Sequence, residues 1–266
     1  MRPISFGRQR PMSGLLYEPA RGTVRGEIVL ANPFGQEAVR SSVMYRLLAL
    51  RLAAQGFWVL RFDYHGTGDS PGEGEDQTLA DWCGDLLVAH EYLADVSHAR
   101  RACSFGVGLG GTIAAMAACN STRPADELYL WDPVFDGPAY IARIKRAHVA
   151  ELERAFGLPW KAVAKLTGES APRVPGYVLG FPIGDELARE IDAIGPDLPR
   201  RAAQSNARCH VALAPDALAM CSSAQLPNLI GQAISRPINF MTNEARGMPL
   251  VPPEVLAFVQ KVWSGV

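Results

Sequence analysis

The stretch "SFGVGLGGTIAA", Ser104 to Ala115, decides how the chain is read. Gly106, Gly108 and Gly111 match the dinucleotide-loop pattern G-x-G-x-x-G. The same residues match the strand–turn–helix elbow G-x-S-x-G, in which a tight turn projects a nucleophile, except that the central position is Gly108 and carries no side chain. One reading makes the loop a seat for a pyrophosphate. The other makes it an elbow without its attacking atom.

The segments around it form an alternation. Glu27–Asn32 (EIVLAN) is an apolar run that ends in a turn, a strand. Met44–Gly56 has apolar residues at helical spacing and stops at a glycine. Trp58–Asp63 (WVLRFD) is a strand leading into the glycine-rich HGTGDSPGEG, and Thr78–Ala94 is a helix with Thr78 and Asp81 at its start. Ala102–Gly108 is a strand, Gly110–Cys119 a small-residue helix, and Glu127–Asp132 another strand. Strands and helices in this order give a mostly parallel, doubly wound α/β sheet, with Ser13–Pro19 adding an antiparallel edge hairpin. After Asp132 the rhythm breaks. Residues 133–206 contain helical pieces at Tyr140–Ala155 and Asp185–Ala193 joined by proline-rich segments, too long for a plain connection, and are expected to form an inserted helical cap. The core would then comprise residues 1–132 and 207–266. Its closing elements are a strand at Cys209–Pro215, a helix around Gln225–Ile234, a strand at Ile238–Thr242 and a helix at Pro252–Trp263.

Composition excludes several classes. In 266 residues, 48% hydrophobic with a net charge of −1, there is no basic stripe for nucleic acid. No run approaches the ~18 consecutive apolar residues of a membrane span, and the N-terminus has no signal-peptide run. Five cysteines without a C-x-x-C pair argue against a disulfide framework or a zinc site, so no metal or cofactor is expected and a reducing cytoplasm fits best.

The dinucleotide pattern needs an acidic residue about 20 positions on, at the end of the next strand, and Asp132 stands there. The loop's usual home is the first βα unit, however, and here two such units precede it. The elbow reading draws on more of the chain. NPFGQE (Asn32–Glu37), RFDYHGTGDSPGE (Arg61–Glu73) and GVGLGGT (Gly106–Thr112) occur in the order of a backbone-donor loop, a D-x-x-G-x-G-x-S loop and an elbow. With LYLWDPVFDGPAYI and YVLGFPIGDEL they resemble the α/β-hydrolase superfamily, in particular its serine-aminopeptidase-like and exosortase-associated branch. The resemblance covers nearly the whole chain and implies the α/β-hydrolase fold. It places Gly108 at the nucleophile position, the Leu109 N–H as one oxyanion donor, and a second donor near Phe34 or Gly35. It also implies an acid at Asp132 or Asp216 and a histidine after the last strand, where TNEARGMPLVPPEV has none.

Among other residues able to move a proton, His65 lies in the loop after WVLRFD, where it is a candidate base or acid with Tyr64 or Asp132 nearby; a turn or cap contact is its plainer reading. Asp63 and Ser70 are read as turn-forming residues, Cys103 as core, and His210 as a structural residue of its strand. Gln36, Tyr140, Trp160, Tyr177 and Phe181 are candidates for a pocket wall or for ordinary cap core. The expectation is an enzyme acting on a small acyl or carbonyl compound through a retained oxyanion site, by water-mediated hydrolysis, lyase or cyclase chemistry. The alternatives are a non-catalytic protein that binds an acyl ligand or a partner, and a dinucleotide-binding protein. The resemblance makes an acyl carrier protein a conceivable partner.

Overall fold

A computed structural model describes residues 1–20, 24–168, 176–222, 228–235, 238–241 and 251–263. Eight strands form one sheet: β1 (Arg2–Phe6), β2 (Met12–Tyr17), β3 (Gly26–Ala31), β4 (Phe57–Phe62), β5 (Ala102–Val107), β6 (Glu127–Trp131), β9 (Arg208–Leu213) and β10 (Leu229–Ala233). Their order is β1-β2-β4-β3-β5-β6-β9-β10. β2 pairs antiparallel with β1 and β4, the expected edge hairpin, and the remaining neighbours are parallel.

Alternate residues of the central strands feed two cores. Ile28 and Leu30 of β3, with Cys103, Phe105 and Val107 of β5, face α1 (Gly35–Ala54) and α9 (Pro253–Trp263). Val29 and Ala31 face the other side, where α2 (Leu79–Ser97), α3 (Leu109–Asn120) and α7 (Leu198–Gln204) pack. With both faces covered, β3 is buried along its whole length, as parallel strands at a sheet's centre are. Strand order reverses at β3: β4 lies on one side of it and β5 on the other. The crevice beyond the C-terminal ends of β3 and β5 is therefore the switch point at which open α/β sheets bind ligands.

Between β6 and β9 the chain forms α4 (Gly137–Phe156), α5 (Trp160–Thr167), a hairpin of β7 (Gly176–Val178) and β8 (Phe181–Ile183), α6 (Asp185–Asp192) and α7. α4 packs on α5, α6 and β7; α6 touches α2, and β8 touches a short 3-10 turn at Gly74–Asp76. α7 instead lies on α3 and β9, in the helix layer of the sheet. α4 is well specified locally. Asp136 caps it by accepting the Ala139 N–H at 2.9 Å, a proline sits in its first turn, and Gly157 ends it in the left-handed region. No helix among the described residues is long and apolar enough to cross a membrane.

Three sequence expectations need correction. α1 begins at Gly35, nine residues before the expected helix; no side-chain cap marks that start at Phe34, so the sequence carries no start signal there. Leu229–Ala233, expected in a helix, is the parallel edge strand β10, paired through Leu229↔Cys209 to Ala233↔Leu213. Its ladder with β9 overrides a local pattern too short to distinguish strand from helix. Residues Ile238–Met241 of the expected last strand are turn and irregular backbone, and Thr242 lies outside the described residues.

Candidate functional site

Gly108 joins β5 to α3 with φ 54° and ψ −127°, a conformation that glycine reaches without the penalty of a β-carbon. Its N–H donates to the Trp131 carbonyl at 3.0 Å, and its own carbonyl accepts from Gly111 N at 3.1 Å and Thr112 N at 3.3 Å. Thr112 fixes the turn from behind: its hydroxyl donates to Val134 O at 2.9 Å and accepts the Val134 N–H at 2.8 Å. A β-carbon on Gly110 would stand 2.3 Å from the Ala31 carbonyl oxygen, so α3 starts in direct backbone contact with the end of β3. The first N–H groups of a helix have no intrahelical partner, and no acceptor is bonded to Leu109 or Gly110 N–H among the described residues.

The loop after β3 delivers the other half of the site. Asn32 anchors it by donating to Phe62 O at 2.6 Å and Asp63 Oδ1 at 3.0 Å. Tyr45 of α1 ties the two strand ends together: its hydroxyl donates to Ala31 O at 2.9 Å and accepts the Val107 N–H at 3.0 Å. Glu37, in the first turn of α1, is 6% exposed. Its carboxylate oxygens stand 3.3 and 3.4 Å from where a β-carbon on Gly108 would be. The Tyr140 hydroxyl donates to Glu37 Oε2 at 3.0 Å, and Arg143 Nη2 lies 3.8 Å from Oε1. Burial pushes the Glu37 carboxyl up to about 7; Arg143 and the Tyr140 hydrogen bond oppose the rise, and the negative charge of Asp132 adds to it. Arg143 also stacks over the Tyr140 ring at 5.1 Å, and its buried Nε has no hydrogen-bond partner among the described residues.

Asp132 follows β6 at φ 46°, its N–H bonded to Ala212 O at 2.8 Å. Burial raises its carboxyl too, with Arg143 opposing. Beside Glu37 is a cavity of about 10 Å³, bounded by Phe34, Gln36, Tyr140, Ile144 and Leu179 among others, which is the space of one water. Phe181 of β8 closes over the donor loop: its ring lies 6.5 Å from that of Phe34 and would be 3.2 Å from a β-carbon on Gly35.

The structure thus brings Phe34, Gly35, Gln36, Gly108, Leu109, Asp132, Tyr140 and Phe181 around one spot. Other candidates are engaged elsewhere. Tyr64 stacks on Trp82 at 5.5 Å inside the core. His65 holds Pro11 O with Nδ1 at 3.0 Å and abuts Gly72 with Nε2. Tyr177 is 58% exposed and donates to Glu75 at 2.6 Å. Trp160 opens α5 with its backbone N–H on Glu153, and Asp216 lies exposed in the first turn of α8 (Pro215–Ser222). Asp63 and Ser70 do fix their turn, Asp63 Oδ2 accepting Asp69 N at 3.1 Å and Ser70 Oγ donating to Asp63 O at 2.6 Å. A buried serine–histidine pair exists, His90 Nε2 to Ser104 Oγ at 2.7 Å. It lies between α2 and β5, four strand positions or about 13 Å before Gly108, and burial drives that imidazole down to about 4.

Sequence reasoning assigned no role to Glu37 or Arg143. An acidic residue in a first helical turn ordinarily reads as a partner of the helix dipole. Only the spacing of Arg143, one turn after Tyr140 on α4, pointed toward the site.

Comparison with known proteins agrees with the fold. Residues 23–178, more than half of the chain, match the family model for serine aminopeptidase, S33. A 68-residue segment is 40% identical to the Saccharomyces cerevisiae protein YDL057W; it makes up 24% of this chain and spans 20% of that protein's length. Among solved structures, Est1E from Butyrivibrio proteoclasticus with bound ferulic acid superposes with a TM-score of 0.63 at 16% identity, covering 96% of this chain and 95% of that one. A structure from work on carboxylesterases of Nitrososphaera gargenis gives 0.61 at 15% identity over 100% of both chains. The N-formylmaleamic acid deformylase of Pseudomonas putida S16, in its S94A form, gives 0.55 at 18% identity over 87% and 92%. At these identities the structures establish the fold, and the family match goes further: the chain belongs to the serine aminopeptidase S33 family of α/β hydrolases.

Proposed function

We infer that the protein is an enzyme of the hydrolase fold that acts on a small acyl or carbonyl compound without a covalent serine intermediate. The observation that carries this reading is the Gly108 turn, which keeps an elbow backbone and an open helix start while offering no side chain to attack with. N–H groups at a helix start favour the oxygen of a carbonyl as it gains negative charge. Water-mediated hydrolysis, elimination and cyclisation all require such a polarised carbonyl together with a group that moves a proton. The ligand is then an acyl group, free or carried on an acyl carrier protein. The glycines favour this reading over dinucleotide binding, because backbone of β3, β5 and α3 already fills the space beside Gly106 and Gly110.

A fluorophosphonate probe tests the inference. The native protein should remain unlabelled while it turns over a short-chain aryl ester such as p-nitrophenyl butyrate. Stoichiometric labelling of any serine would overturn the reading, and saturable NAD binding in a calorimeter would replace it with the dinucleotide one. A second reading, a non-catalytic protein that binds an acyl ligand or a partner, is favoured by the same turn, which leaves the helix start open while Gly108 supplies no attacking atom. It predicts butyrate binding without turnover of any ester.

A further inference from the structure

We propose that Glu37 is the catalytic base of this elbow: a carboxylate brought from the donor loop into the space beside the missing side chain, where it deprotonates a water held in the adjoining cavity. The proposal rests on the reading of the elbow given above and deepens it to direct hydrolysis of an apolar acyl compound. Three observations support it. The Glu37 carboxylate oxygens stand 3.3 and 3.4 Å from a β-carbon at 108, a tight approach that puts them where a nucleophile's hydroxyl would find its base. It is held there from α4 by the Tyr140 hydroxyl at 3.0 Å and by Arg143 at 3.8 Å. The cavity it borders is water-sized, with Phe34, Ile144 and Leu179 supplying an apolar wall.

The charged and titratable groups facing Glu37 are Tyr45 from its own helix, Tyr140 and Arg143 from α4, and Asp132 from the turn after β6. Their balance with burial keeps the carboxyl poised close to neutrality, where a general base is most effective.

The chemical step balances with water alone. Glu37 takes a proton from water as the water oxygen bonds to the acyl carbon, and the carbonyl π pair moves onto its oxygen beside the Leu109 N–H. When the carbonyl reforms, the bond to the leaving oxygen breaks and that oxygen takes the proton back from Glu37. Ester and water become acid and alcohol, and the carboxylate is restored.

Restoring a hydroxyl at the elbow gives a test that needs no knowledge of the natural substrate. The Gly108→Ser protein should react with a fluorophosphonate at the introduced hydroxyl, at a rate that rises with pH through a midpoint near 7. Adding Glu37→Gln should slow that labelling about 100-fold or more. A folded Gly108→Ser protein that is never labelled would overturn the elbow reading underneath. Equally fast labelling with and without Glu37→Gln would leave the elbow standing and overturn the proposal for Glu37. Should Gly108→Ser fail to fold, carboxyl ¹³C NMR of the native chain decides the matter, with the Glu37 signal assigned by its loss in Glu37→Gln. A titration midpoint near 7 supports the proposal, and one near the ordinary 4.5 overturns it.

Discussion

Glu37 has a stability cost with a definite sign. Its carboxyl is raised from 4.5 to about 7 in the folded chain. Between those values the folded protein holds a proton that the unfolded chain releases, so stability falls as pH rises across that window, in total on the order of 3 kcal/mol. Glu37→Gln keeps the shape and the acceptor for Tyr140 while removing the charge. It should therefore unfold at a higher denaturant concentration than the native protein above pH 7, with the gap closing as pH falls toward about 4.5; a gap independent of pH would count against a buried, ionising Glu37. Stabilisation by removal of a functional group is the usual trade at a site selected for chemistry. The residue's importance could not be read from NPFGQE. The loop's order along the chain gave the donor positions, whereas the burial of Glu37 depends on α4, which reaches it from more than 100 residues away. His65 looked better placed only because sequence shows the loop a ring sits on and not the carbonyl it bonds.

At the level of elements, the site is the junction of two strand ends, and Tyr45 is its clamp. Tyr45→Phe would leave the buried Val107 N–H without its acceptor and Ala31 O without its donor, at a cost of about 1–3 kcal/mol. Thermal unfolding should occur a few degrees lower. Fluorophosphonate labelling of Gly108→Ser should slow as well, since β3 and β5 carry the two loops that meet there; an unchanged melt would show the clamp to be redundant. Most of these elements were legible because β3, β4, β5 and β6 are compact apolar runs bounded by turn residues, and because Thr78 is a true cap, accepting Asp81 N at 3.0 Å. The exception, β10, exposes Ile230 and Gly231 at the sheet's edge. With few residues in contact with the core, its apolar pattern carries little of the information that a central strand does. α5 and α7, short and amid prolines, were equally hard to see.

At the scale of the whole molecule, two buried carboxylates, Glu37 and Glu127, lie at opposite ends of the sheet and are shifted in opposite directions. At the N-terminal ends of the parallel strands, Glu127 accepts from Tyr129 and pairs with Arg101 at 2.7 Å, while His210, stacked on Tyr129, lies 3.6 Å away. Burial works to raise this carboxyl, but its neighbours His210, Tyr129 and Arg101 outweigh burial and hold it at about 2. A depressed acid contributes stability that is complete above about 4.5 and lost as pH falls toward 2. Glu127→Gln should thus cost about 1–2 kcal/mol at pH 7, less than the full shift because solvent still screens this group in part, and the cost should shrink under acid, as read from denaturant midpoints; a loss that persists at pH 2 would assign the effect to packing. That end braces the fold, and the Glu37 end is covered by α4. Tyr140, Arg143 and Ile144 ride on this helix with His148, whose Nδ1 accepts the Leu179 N–H of the hairpin at 3.1 Å, so helix and hairpin are tied together over Glu37. Raising this roof would hydrate the carboxyl and withdraw guanidinium and phenol together. Since burial is the strongest of these influences, the group would shed its proton if the roof lifted and regain one if it settled. Any outward displacement of α4 would thereby be geared to an exchange of acid with the surrounding buffer.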